Sequence, residues 1–496
     1  MKKTSFNHLI TPAAMGEVDH DAATSGLDSF GLMQKAGQAV SAAALRLYPQ
    51  GVRMVVFCGP GNNGGDGYIA AEALRACGVT VCVFHLGDPA RLKGDAAKAF
   101  AVYCGPLRRM EDYVPEHGDV VIDALFGAGL GRDLDPSMID LISRVTEAEL
   151  PVIAVDLPSG LDGLTGQPRP VTFQAVHTVT FMTRKPGHVL MPGRAFCGTV
   201  EVYDIGIPRR ILDNHRGVIA LNTPAMWSKS LPRVSGASHK FTRGHLTVFS
   251  GSMPATGAAR LAAMAGLRSG AGLATIASPE AALAVNACQT TAVMVKQVDD
   301  VAGVEDYLQD RRMGAFVLGP GFGTGEKARA FALALNECML VLDADGISSF
   351  RDAPHVLFDV FSGDTVHLVL TPHEGEFARI FPDIAADKGL GKVEKAQVSA
   401  KRANAAIVYK GADTVIASPD GRVLINENAP AWLATAGSGD VLAGVIGGLL
   451  AQGMPAFEAA AAGVYLHGAA GLRAGEGLTA DDLVLAVKPF QADAAF

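Results

Sequence analysis

Aromatic side chains are scarce in this chain, and charged side chains are fewer than in an average soluble domain. Phe, Trp and Tyr together make up 6% of the 496 residues, and Asp, Glu, Lys and Arg make up 19%. About 25% is usual for charged residues. Hydrophobic residues reach 49%. The chain therefore has the material for large buried cores, and its composition is not that of a disordered protein.

An excess of basic charge is also missing. The formal net charge is −8, and a general nucleic-acid partner would need Lys and Arg to neutralise its phosphates. We therefore expect no nucleic-acid partner. No uninterrupted apolar run approaches the roughly 18 residues of a membrane span, and the Ala/Gly-rich run 441–451 is too short, so we expect no membrane insertion. Residues 1–3 lead into no apolar signal segment. Together these absences predict a cytoplasmic protein.

Paired cysteines are absent as well. The number of cysteines is odd and none forms a CxxC motif, so we expect reduced cysteines in a reducing compartment. They are Cys58, Cys77, Cys82, Cys104, Cys197, Cys288 and Cys338.

Short β-type runs alternate with Ala-rich helical segments along the whole chain. Strands separated by helices predict βαβ units with parallel sheets, and apolar strands predict sheets covered on both faces. The expected strands are 53–58, 79–86, 119–125 and 151–155, then 245–249, 315–318, 339–342, 367–370, 406–409 and 414–417.

One segment between the two series of strands lacks clean periodicity. Residues 211–238 contain Asn, Pro and a Ser-Gly pair, so we expect a domain boundary close to 215–225. The length allows two to four domains. We expect two three-layer α/β/α domains, at residues 1–215 and 220–496.

The first half has a glycine-rich stretch, GPGNNGGDG (59–67), that follows a strand and opens a helix. Such a stretch can aim amides and the positive end of a helix at an anion. It is not the dinucleotide GxGxxG motif and has no P-loop lysine. A tight turn would explain two or three glycines, but not five beside two Asn and an Asp.

Two further strands end in a carboxylate followed by glycines. Asp123 precedes LFGAGLGRD, and Asp156 precedes LPSGLDG. Strand ends are the usual ligand sites of open α/β sheets. Asn63, Asp123 and Ser159 could supply hard oxygen ligands for an alkali or alkaline-earth ion. Either aspartate alone could instead be a helix cap or a turn residue.

Residues 10–213 resemble the epimerase domain of the NAD(P)H-hydrate repair enzymes. The similarity lies in GPGNNGGDG, DALFGAGLGRD (123–133), DLPSGLDGLTG (156–166) and the tail 181–208. The resemblance implies a Rossmann-like fold and a K⁺ ion held by Asn63, Asp123 and Ser159. It also implies a set of hydrate-binding residues. They are Asn62, Asn63, Gly64, Gly65, Asp66, Gly127, Ala128, Gly129, Leu130, Gly131, Arg132, Asp133 and Asp156.

The chemistry of that family needs a proton-transfer group. A hydrate carries a hydroxyl on C6 of a reduced nicotinamide ring, and one route to its epimer loses hydroxide and re-adds water on the other face. A positioned carboxyl group can serve both steps. Asp156 is our candidate.

The second half contains TAGSGDVLAG (435–444), in which small residues lead into a helix. We expect the amides of 437–439 to converge on a phosphoryl group and Asp440 to accept a proton from an attacking hydroxyl. Gly-Ser-Gly-Asp alone could equally be a helix start with a dipole-stabilising carboxylate.

The stretches around it resemble ribokinase-like enzymes, and within them the ADP/ATP-dependent NAD(P)H-hydrate dehydratases. They include HKFTRGHLTVFSGS (239–252), VLGPGFG (317–323), LTPHEGEFARI (370–380) and VYKGADTVIASPDG (408–421). The resemblance implies ADP or ATP as co-substrate with Mg²⁺, and hydrate contacts from Ala258, Gly321, His373 and Asp440. The nucleotide would be held by Lys410, Gly411, Ala412, Asp413, Thr414 and Gly439.

This sequence departs from the family at residues 253–256, where Met-Pro-Ala-Thr replaces a Tyr-Pro-Gly-like stretch. An alternative remains open, in which the second half is a small-molecule kinase and the first half a ligand-binding module. The sequence also leaves open whether ADP or ATP is the co-substrate, and whether NADH hydrate or NADPH hydrate is the preferred substrate. A homo-oligomer is expected because soluble enzymes commonly form closed assemblies.

Overall fold

The structure is a computed structural model of the chain, and it describes residues 7–50, 53–131, 133–232, 235–236, 238–310 and 314–490. The chain divides into two compact units, Met1–Ile219 and Ala220–Phe496. The division falls inside the aperiodic segment 211–238. No helix among the described residues is both long enough and apolar enough to cross a membrane.

The N-terminal unit is built on a seven-stranded sheet in the order β3-β2-β1-β4-β5-β6-β7, in which every neighbouring pair is parallel. Its strands are β1 (Met54–Cys58), β2 (Val81–His85), β3 (Leu107–Arg109), β4 (Val120–Ala124), β5 (Val152–Val155), β6 (His177–Phe181) and β7 (Thr199–Tyr203). Its helices are α1 (Pro12–Thr24), α2 (Ser29–Leu47), α3 (Asn62–Ala76), α4 (Gly94–Val102), α5 (Pro136–Glu147), α6 (Gly193–Cys197) and α7 (Arg209–Asn214).

Both faces of this sheet are covered. All five residues of β1 are buried, and alternate side chains enter different clusters. Val56 packs with residues of α1–α3, while Val55 and Phe57 pack with residues of α5. Successive strand side chains point to opposite faces, so two hydrophobic layers flank one sheet. The predicted three-layer α/β/α fold is confirmed for this unit.

The C-terminal unit has a ten-stranded sheet in the order β11-β10-β9-β12-β13-β14-β15-β16-β17-β8. Its strands are β8 (Ile219–Leu221), β9 (His245–Phe249), β10 (Leu273–Ser278), β11 (Met294–Gln297), β12 (Ala315–Leu318), β13 (Met339–Leu342), β14 (Leu368–Leu370), β15 (Ala405–Tyr409), β16 (Val415–Ala417) and β17 (Val423–Ile425). Pairing is parallel from β11 to β15, and antiparallel between β15, β16 and β17.

Helices of this unit include a pair that packs through small residues. A Cβ built on Gly444 of α18 would lie 2.0 Å from the backbone oxygen of Ala262 on α9. The two backbones therefore lie in close contact beside the sheet. The helices are α8 (Pro224–Trp227), α9 (Gly257–Arg268), α10 (Glu280–Gln289), α11 (Val301–Leu308), α12 (Glu326–Ala334), α13 (Asp345–Ser348), α14 (Pro354–Val360), α15 (Glu374–Ile380), α16 (Pro382–Ala386), α17 (Lys392–Ala403), α18 (Ser438–Ala451), α19 (Ala456–Ala474) and α20 (Ala480–Ala486).

The glycine-rich stretch 59–67 opens a helix, as expected from the sequence, because α3 begins at Asn62 and only residues 59–61 precede it. One local expectation differs from the structure. The second sheet is mixed, since a tight connection between β15 and β16 reverses the chain direction where we expected another parallel strand. Short apolar runs do not reveal strand direction, which loop length and sheet position decide.

Candidate active sites

The polar ends of β1, β4 and β5 open onto a cavity of about 750 Å³ in the N-terminal unit. Parallel strands bring their carboxyl ends to one edge of a sheet, and ligands bind there. The cavity gathers most of the residues that the sequence predicted. They are Asn62, Asn63, Asp66, Gly127, Ala128, Gly129, Leu130, Gly131 and Asp156.

The remaining predicted hydrate contacts do not line the cavity or lie outside the described residues. Gly64 and Gly65 are packing positions on α3. A Cβ on Gly64 would lie 1.9 Å from the backbone oxygen of Gly59, and one on Gly65 would lie 2.6 Å from the Met33 sulfur. Asp133 is exposed and lies 3.4 Å from the Arg169 guanidinium. Arg132 lies outside the described residues.

Asp156 directly follows β5, and its backbone has a left-handed φ of +66°. Non-glycine residues rarely adopt this conformation, and such strain concentrates at functional sites. Its Oδ2 accepts a hydrogen bond from the amide of Ala128 at 3.0 Å. Its Oδ1 accepts hydrogen bonds from the hydroxyl of Thr180 at 2.8 Å and from the ammonium of Lys185.

These contacts fix the charge of Asp156. Burial alone would raise the pKa of its carboxyl, but the charge and hydrogen bond of Lys185 outweigh burial and lower the pKa to about 2. Asp156 is therefore a carboxylate at neutral pH, with every hydrogen bond aimed at its charged form.

Two hydrogen bonds of His188 hold the ion pair of Asp156 and Lys185 in place. The backbone amide of Lys185 donates to Nδ1 of His188 at 2.9 Å, so the ring proton lies on Nε2. Nε2 in turn donates to the backbone oxygen of Asp156 at 2.7 Å. Burial and the nearby Lys185 charge lower the pKa of His188 to about 4, so the ring is neutral. A neutral, bridging imidazole orients the lysine and aspartate without adding charge.

Asp123 and Ser159 are buried side by side, and neither is among the residues that line the cavity. Its Oδ2 accepts from the Ser159 amide at 2.6 Å, and its Oδ1 accepts from the Ser159 hydroxyl at 2.7 Å and from the Leu125 amide at 3.2 Å. The carboxyl is fully buried, and burial outweighs these bonds and raises its pKa to about 6. No cationic side chain contributes to that shift. A buried carboxylate without a counter-charge is costly.

Asn63 completes the predicted metal-ligating set. A Cβ on Gly127 would lie 3.0 Å from Asn63 Oδ1 and 3.1 Å from Asp156 Oδ2, so glycine is required where these side chains converge. The buried Nδ2 of Asn63 has no hydrogen-bond partner among the described residues. Within the same residues no group of three or more His, Cys, Asp or Glu could hold a metal. The hard oxygens of Asn63, Asp123 and Ser159 fit a weakly charged ion such as K⁺ better than a transition metal.

Two further carboxyl groups of the cavity have raised pKa values. Burial, together with the charges of Asp156 and Asp19, raises the pKa of Asp66 well above its ordinary value. Burial and the Asp156 charge raise the pKa of Asp19 to about 6, although the Lys185 charge opposes them. The cavity thus holds the fixed carboxylate of Asp156, two carboxyls with raised pKa values, and Asp95, which is paired with Lys98.

In the C-terminal unit, Asp440 is the third residue of α18, as expected from the sequence. Gly437 precedes the helix with φ of +83°, which favours glycine. The amide of Ser438 already donates to the Thr435 oxygen at 3.3 Å. The three amides 437–439 are therefore not all free to bind a ligand, as we expected them to be. A Cβ on Gly439 would lie 3.5 Å from Lys410 Nζ and 3.8 Å from Asp343 Oδ2.

The charges around Asp440 suit a base. Burial raises the pKa of its carboxyl to about 6, and the charges of Asp343 and Asp345 add to that rise while Lys410 opposes it. Lys410 Nζ lies 2.8 Å from Asp343 Oδ1, which also accepts from the Thr371 hydroxyl at 2.7 Å. Burial lowers the pKa of Lys410, but Asp343 and Glu376 raise it above the ordinary value, so this lysine is a cation.

His373 lies at the start of α15, and its side chain is 55% exposed. Its Nδ1 accepts from the Gly375 amide at 3.0 Å, so Nε2 carries the ring proton. Its backbone amide donates to Glu376 Oε2 at 2.9 Å. The Lys410 amide donates to the Pro372 oxygen at 2.8 Å, which joins this helix start to the end of β15. His373 is therefore held by a capping box and is not a core histidine.

The other predicted residues of this unit form two close groups. A Cβ on Gly321, whose φ is +62°, would lie 3.3 Å from Ala258 Cβ and 2.9 Å from the Ala255 oxygen. Residues 410–414 form the turn between β15 and β16, in which the Thr414 hydroxyl donates to the Gly411 oxygen at 3.1 Å. Lys392 on α17 forms an ion pair with the buried Asp413 beneath that turn.

Sequence reasoning missed several partners of these sites. Lys185 and His188 lie in the tail 181–208 that matched the family, but no local motif assigned them a role. Asp19, Asp343 and Lys392 come from other elements, and only tertiary packing brings them to the sites. The remaining missed partners are Thr180, Thr371 and Glu376.

Two family models match the chain. The model described as YjeF-related protein N-terminus matches residues 29–187, which include the cavity residues from Asn62 to Lys185. The model described as NAD(P)H-hydrate dehydratase matches residues 246–488, which include His373, Lys410 and Asp440.

Curated relatives match both units at once. A bifunctional NAD(P)H-hydrate repair enzyme of Moorella thermoacetica is 37% identical over 490 residues, covering 94% of this chain and 92% of the relative. One of Mycobacterium tuberculosis is 36% identical over 447 residues, covering 89% and 87%. A solved ADP/ATP-dependent NAD(P)H-hydrate dehydratase from Bacillus subtilis, co-crystallized with ATP/Mg²⁺, is 26% identical, with a TM-score of 0.45, and the match covers 54% of this chain and 95% of that one.

Proposed function

Because this chain belongs to the bifunctional NAD(P)H-hydrate repair enzymes, we propose a division of labour between its two units. The cavity of the N-terminal unit interconverts the R and S epimers of NAD(P)H hydrate. The Asp440 site of the C-terminal unit dehydrates the S epimer to NAD(P)H, with ADP or ATP converted to AMP or ADP and phosphate. Two sites on one chain let the whole damaged pool pass through a single chiral dehydratase site.

The observation that carries the dehydratase assignment is the pair of Asp440 and Lys410 around Gly439. Asp440, whose pKa is about 6, is ionised at neutral pH and still basic enough to accept a proton. It deprotonates the C6 hydroxyl, whose oxygen attacks the terminal phosphoryl group. The C6 phosphate then leaves, pushed by the electron pair of the ring nitrogen, and loss of a proton restores the dihydronicotinamide.

The remaining predicted residues have distinct roles in this proposal. The turn 410–414 and Gly439 hold the nucleotide, with the Lys410 cation beside its phosphates. Ala258, Gly321 and His373 contact the hydrate, and His373 can donate from Nε2. Residues 253–256, which precede Ala258, are Met-Pro-Ala-Thr and supply no aromatic side chain.

Mg²⁺ would be held at this site by Asp343, beside the base Asp440. Asp343 Oδ2 accepts no hydrogen bond among the described residues, and its charge raises the pKa of Asp440. Mg²⁺ typically binds one or two carboxylates together with substrate phosphates, so this donor set fits. When bound, the ion neutralises charge that develops on the transferring phosphoryl group.

In the epimerase cavity, the proposed role of Asp156 is electrostatic. Because its pKa is about 2, it remains a carboxylate and stabilises the positive charge that the ring acquires when the C6 hydroxyl leaves. We expected this residue to donate and accept the proton, and its contacts favour a fixed carboxylate instead. K⁺ held by Asn63, Asp123 and Ser159 would supply the counter-charge that buried Asp123 lacks.

One assay tests the proposed function. NAD(P)H hydrate is mixed with ADP or ATP and Mg²⁺, and NAD(P)H absorbance and inorganic phosphate are measured together. The proposal predicts one phosphate released for each NAD(P)H formed. A stable phosphorylated product without NAD(P)H would instead identify a small-molecule kinase. Running NADH hydrate and NADPH hydrate in parallel, each with ADP and with ATP, ranks the substrates. We also expect a cytoplasmic homo-oligomer. Sedimentation of the purified chain measures its state of assembly.

A further inference from the structure

Asp156 does not account for proton transfer in the epimerase cavity. Three donors occupy that carboxylate: the Ala128 amide, the Thr180 hydroxyl and the Lys185 ammonium. A carboxylate held in its ionised form by these donors carries no proton to give to a departing hydroxyl. Loss of hydroxide from C6 nevertheless requires a proton donor.

Asp19 on α1 lines the same cavity, but within the described residues no hydrogen bond of the kind that holds Asp156 engages its side chain. Its side chain accepts none of the hydrogen bonds found in the described part of the chain, and it is open to the solvent of the cavity although protein atoms surround most of it. It lies close enough to Lys185, Asp156 and Asp66 for their charges to act on one another. It is thus a free carboxyl next to a fixed ion pair.

We propose that Asp19 is a catalytic residue of the epimerase, exchanging the proton with the C6 oxygen of the hydrate. This inference rests on the proposed epimerase function of the cavity. Asp156 and Lys185 then position the ring and bear its charge, while Asp19 carries out proton transfer.

The step balances without a further reactant. The C6–O bond breaks, the Asp19 carboxyl gives its proton to the departing oxygen, and water leaves. The electron pair of the ring nitrogen forms the second bond to C6 and leaves a cationic ring. Water then adds to the opposite face of C6, the electron pair returns to nitrogen, and the proton of the added water returns to the Asp19 carboxylate through the solvent of the open cavity.

The protonation state of Asp19 agrees with this role. Burial and the Asp156 charge raise its pKa to about 6, so the carboxyl is about half protonated at pH 6 and keeps about one-tenth of its protonated form at pH 7. The other charged or titratable groups that line the cavity are Asp66 on α3, Asp95 on α4, Asp156 after β5 and Lys185 after β6. Asp95 is paired with Lys98, and Lys185 with Asp156, so neither cation neutralises Asp19 directly.

The test compares Asp19→Asn, Asp19→Glu and Glu17→Gln in the full chain. Glu17 is on the same helix, contacts His215 and does not line the cavity, so Glu17→Gln is a matched control. Exchange between R and S hydrate is measured without nucleotide from pH 5 to 9. We expect Asp19→Asn to slow exchange about 10²-fold or more, Asp19→Glu to stay within about tenfold, and Glu17→Gln to match the unmodified chain. The exchange rate of the unmodified chain should fall as pH rises above about 6. The rate of Asp19→Asn should not show this fall.

The outcomes separate this inference from the function beneath it. If the unmodified chain does not exchange epimers, the proposed epimerase function fails. If it does, and Asp19→Asn exchanges at a similar rate or keeps the same pH limb, Asp19 is not the proton donor. Dehydration of the S epimer, measured on each variant with ADP or ATP, and thermal melting check that a slow variant is still folded.

Discussion

At the scale of single residues, the two sites use carboxyl groups with opposite pKa shifts. Lys185 keeps Asp156 ionised, whereas burial and neighbouring carboxylates raise the pKa values of Asp19 and Asp440 to about 6. Pairs of titratable groups driven apart in this way mark acid and base roles. Sequence alone predicted that Asp156 and Asp440 matter, but their pKa shifts depend on burial and on distant partners such as Lys185 and Asp343, which no local pattern reveals.

Asp440 should behave as a base whose ionised form is active. Dehydratase kcat/KM should fall about tenfold per pH unit below about pH 6, because the carboxyl is then protonated. Asp440→Asn should lower the rate about 10²–10⁴-fold while ADP or ATP still binds. A pH–rate profile and calorimetric nucleotide titration check both points.

A neighbouring carboxylate provides the control. The Asp345 charge raises the pKa of Asp440, so Asp345→Asn should move the acid limb to lower pH without abolishing activity. Asp440 is not the base if the acid limb of the pH–rate profile is unchanged in Asp345→Asn, or if Asp440→Asn dehydrates the hydrate at a near-normal rate.

Asp123 should link K⁺ to stability. Its folded pKa of about 6 exceeds the ordinary value, so without K⁺ its contribution to stability is present at low pH and lost as pH rises through about 6. K⁺ binds the ionised form and should therefore raise the Tm at pH 8 much more than at pH 5. Asp123→Asn should abolish this difference.

Thermal melting in KCl and in tetramethylammonium chloride at equal ionic strength measures the K⁺ effect. The two salts should give equal Tm values for Asp123→Asn at both pH values. A K⁺ stabilisation that persists in this variant would place the ion elsewhere.

At the scale of elements, the sequence predicted the direction of most of the strands that it found, but it missed several strands, among them β6, β7, β10 and β17. The runs 245–249, 315–318 and 339–342 are strands with the predicted bounds, because a buried apolar run between glycines has few other uses. The short strand β16 shows why one direction was missed. Three apolar residues fit a parallel or an antiparallel neighbour equally well, and the turn 410–414 decides between them.

Helix α18, which begins two residues before Asp440, depends on close packing against α9. A Cβ on Gly444 would meet the Ala262 backbone oxygen at 2.0 Å, and a backbone atom cannot move aside as a flexible side chain can. Gly444→Ala should therefore destabilise the C-terminal unit by about 2 kcal/mol or more, despite the better helix propensity of alanine.

Gly363 is the matched control, because it is exposed and nothing lies within 4 Å of its Cβ position. Gly363→Ala should change the free energy of unfolding by less than about 0.5 kcal/mol. Urea unfolding of both variants measures the difference. Equal stability of the two would contradict the close α9–α18 contact.

At the scale of the whole molecule, two α/β/α units bring different chemistry to one substrate pool. The sequence predicted both units and their order, since each carries several strand-end motifs in sequence. The units themselves need no shared residue for the repair reaction, because free hydrate can pass from the epimerase to the dehydratase. This account makes the chain a repair enzyme whose phosphate is a disposable leaving group.

The most direct measurement follows NAD(P)H recovery from a mixture of R and S hydrate with excess ADP or ATP. The unmodified chain should recover the whole pool in one phase. Asp440→Asn should recover almost none. Asp156→Ala should give a fast phase equal to the S fraction, followed by a much slower one. Complete single-phase recovery by Asp156→Ala, or recovery without phosphate release, would contradict the account.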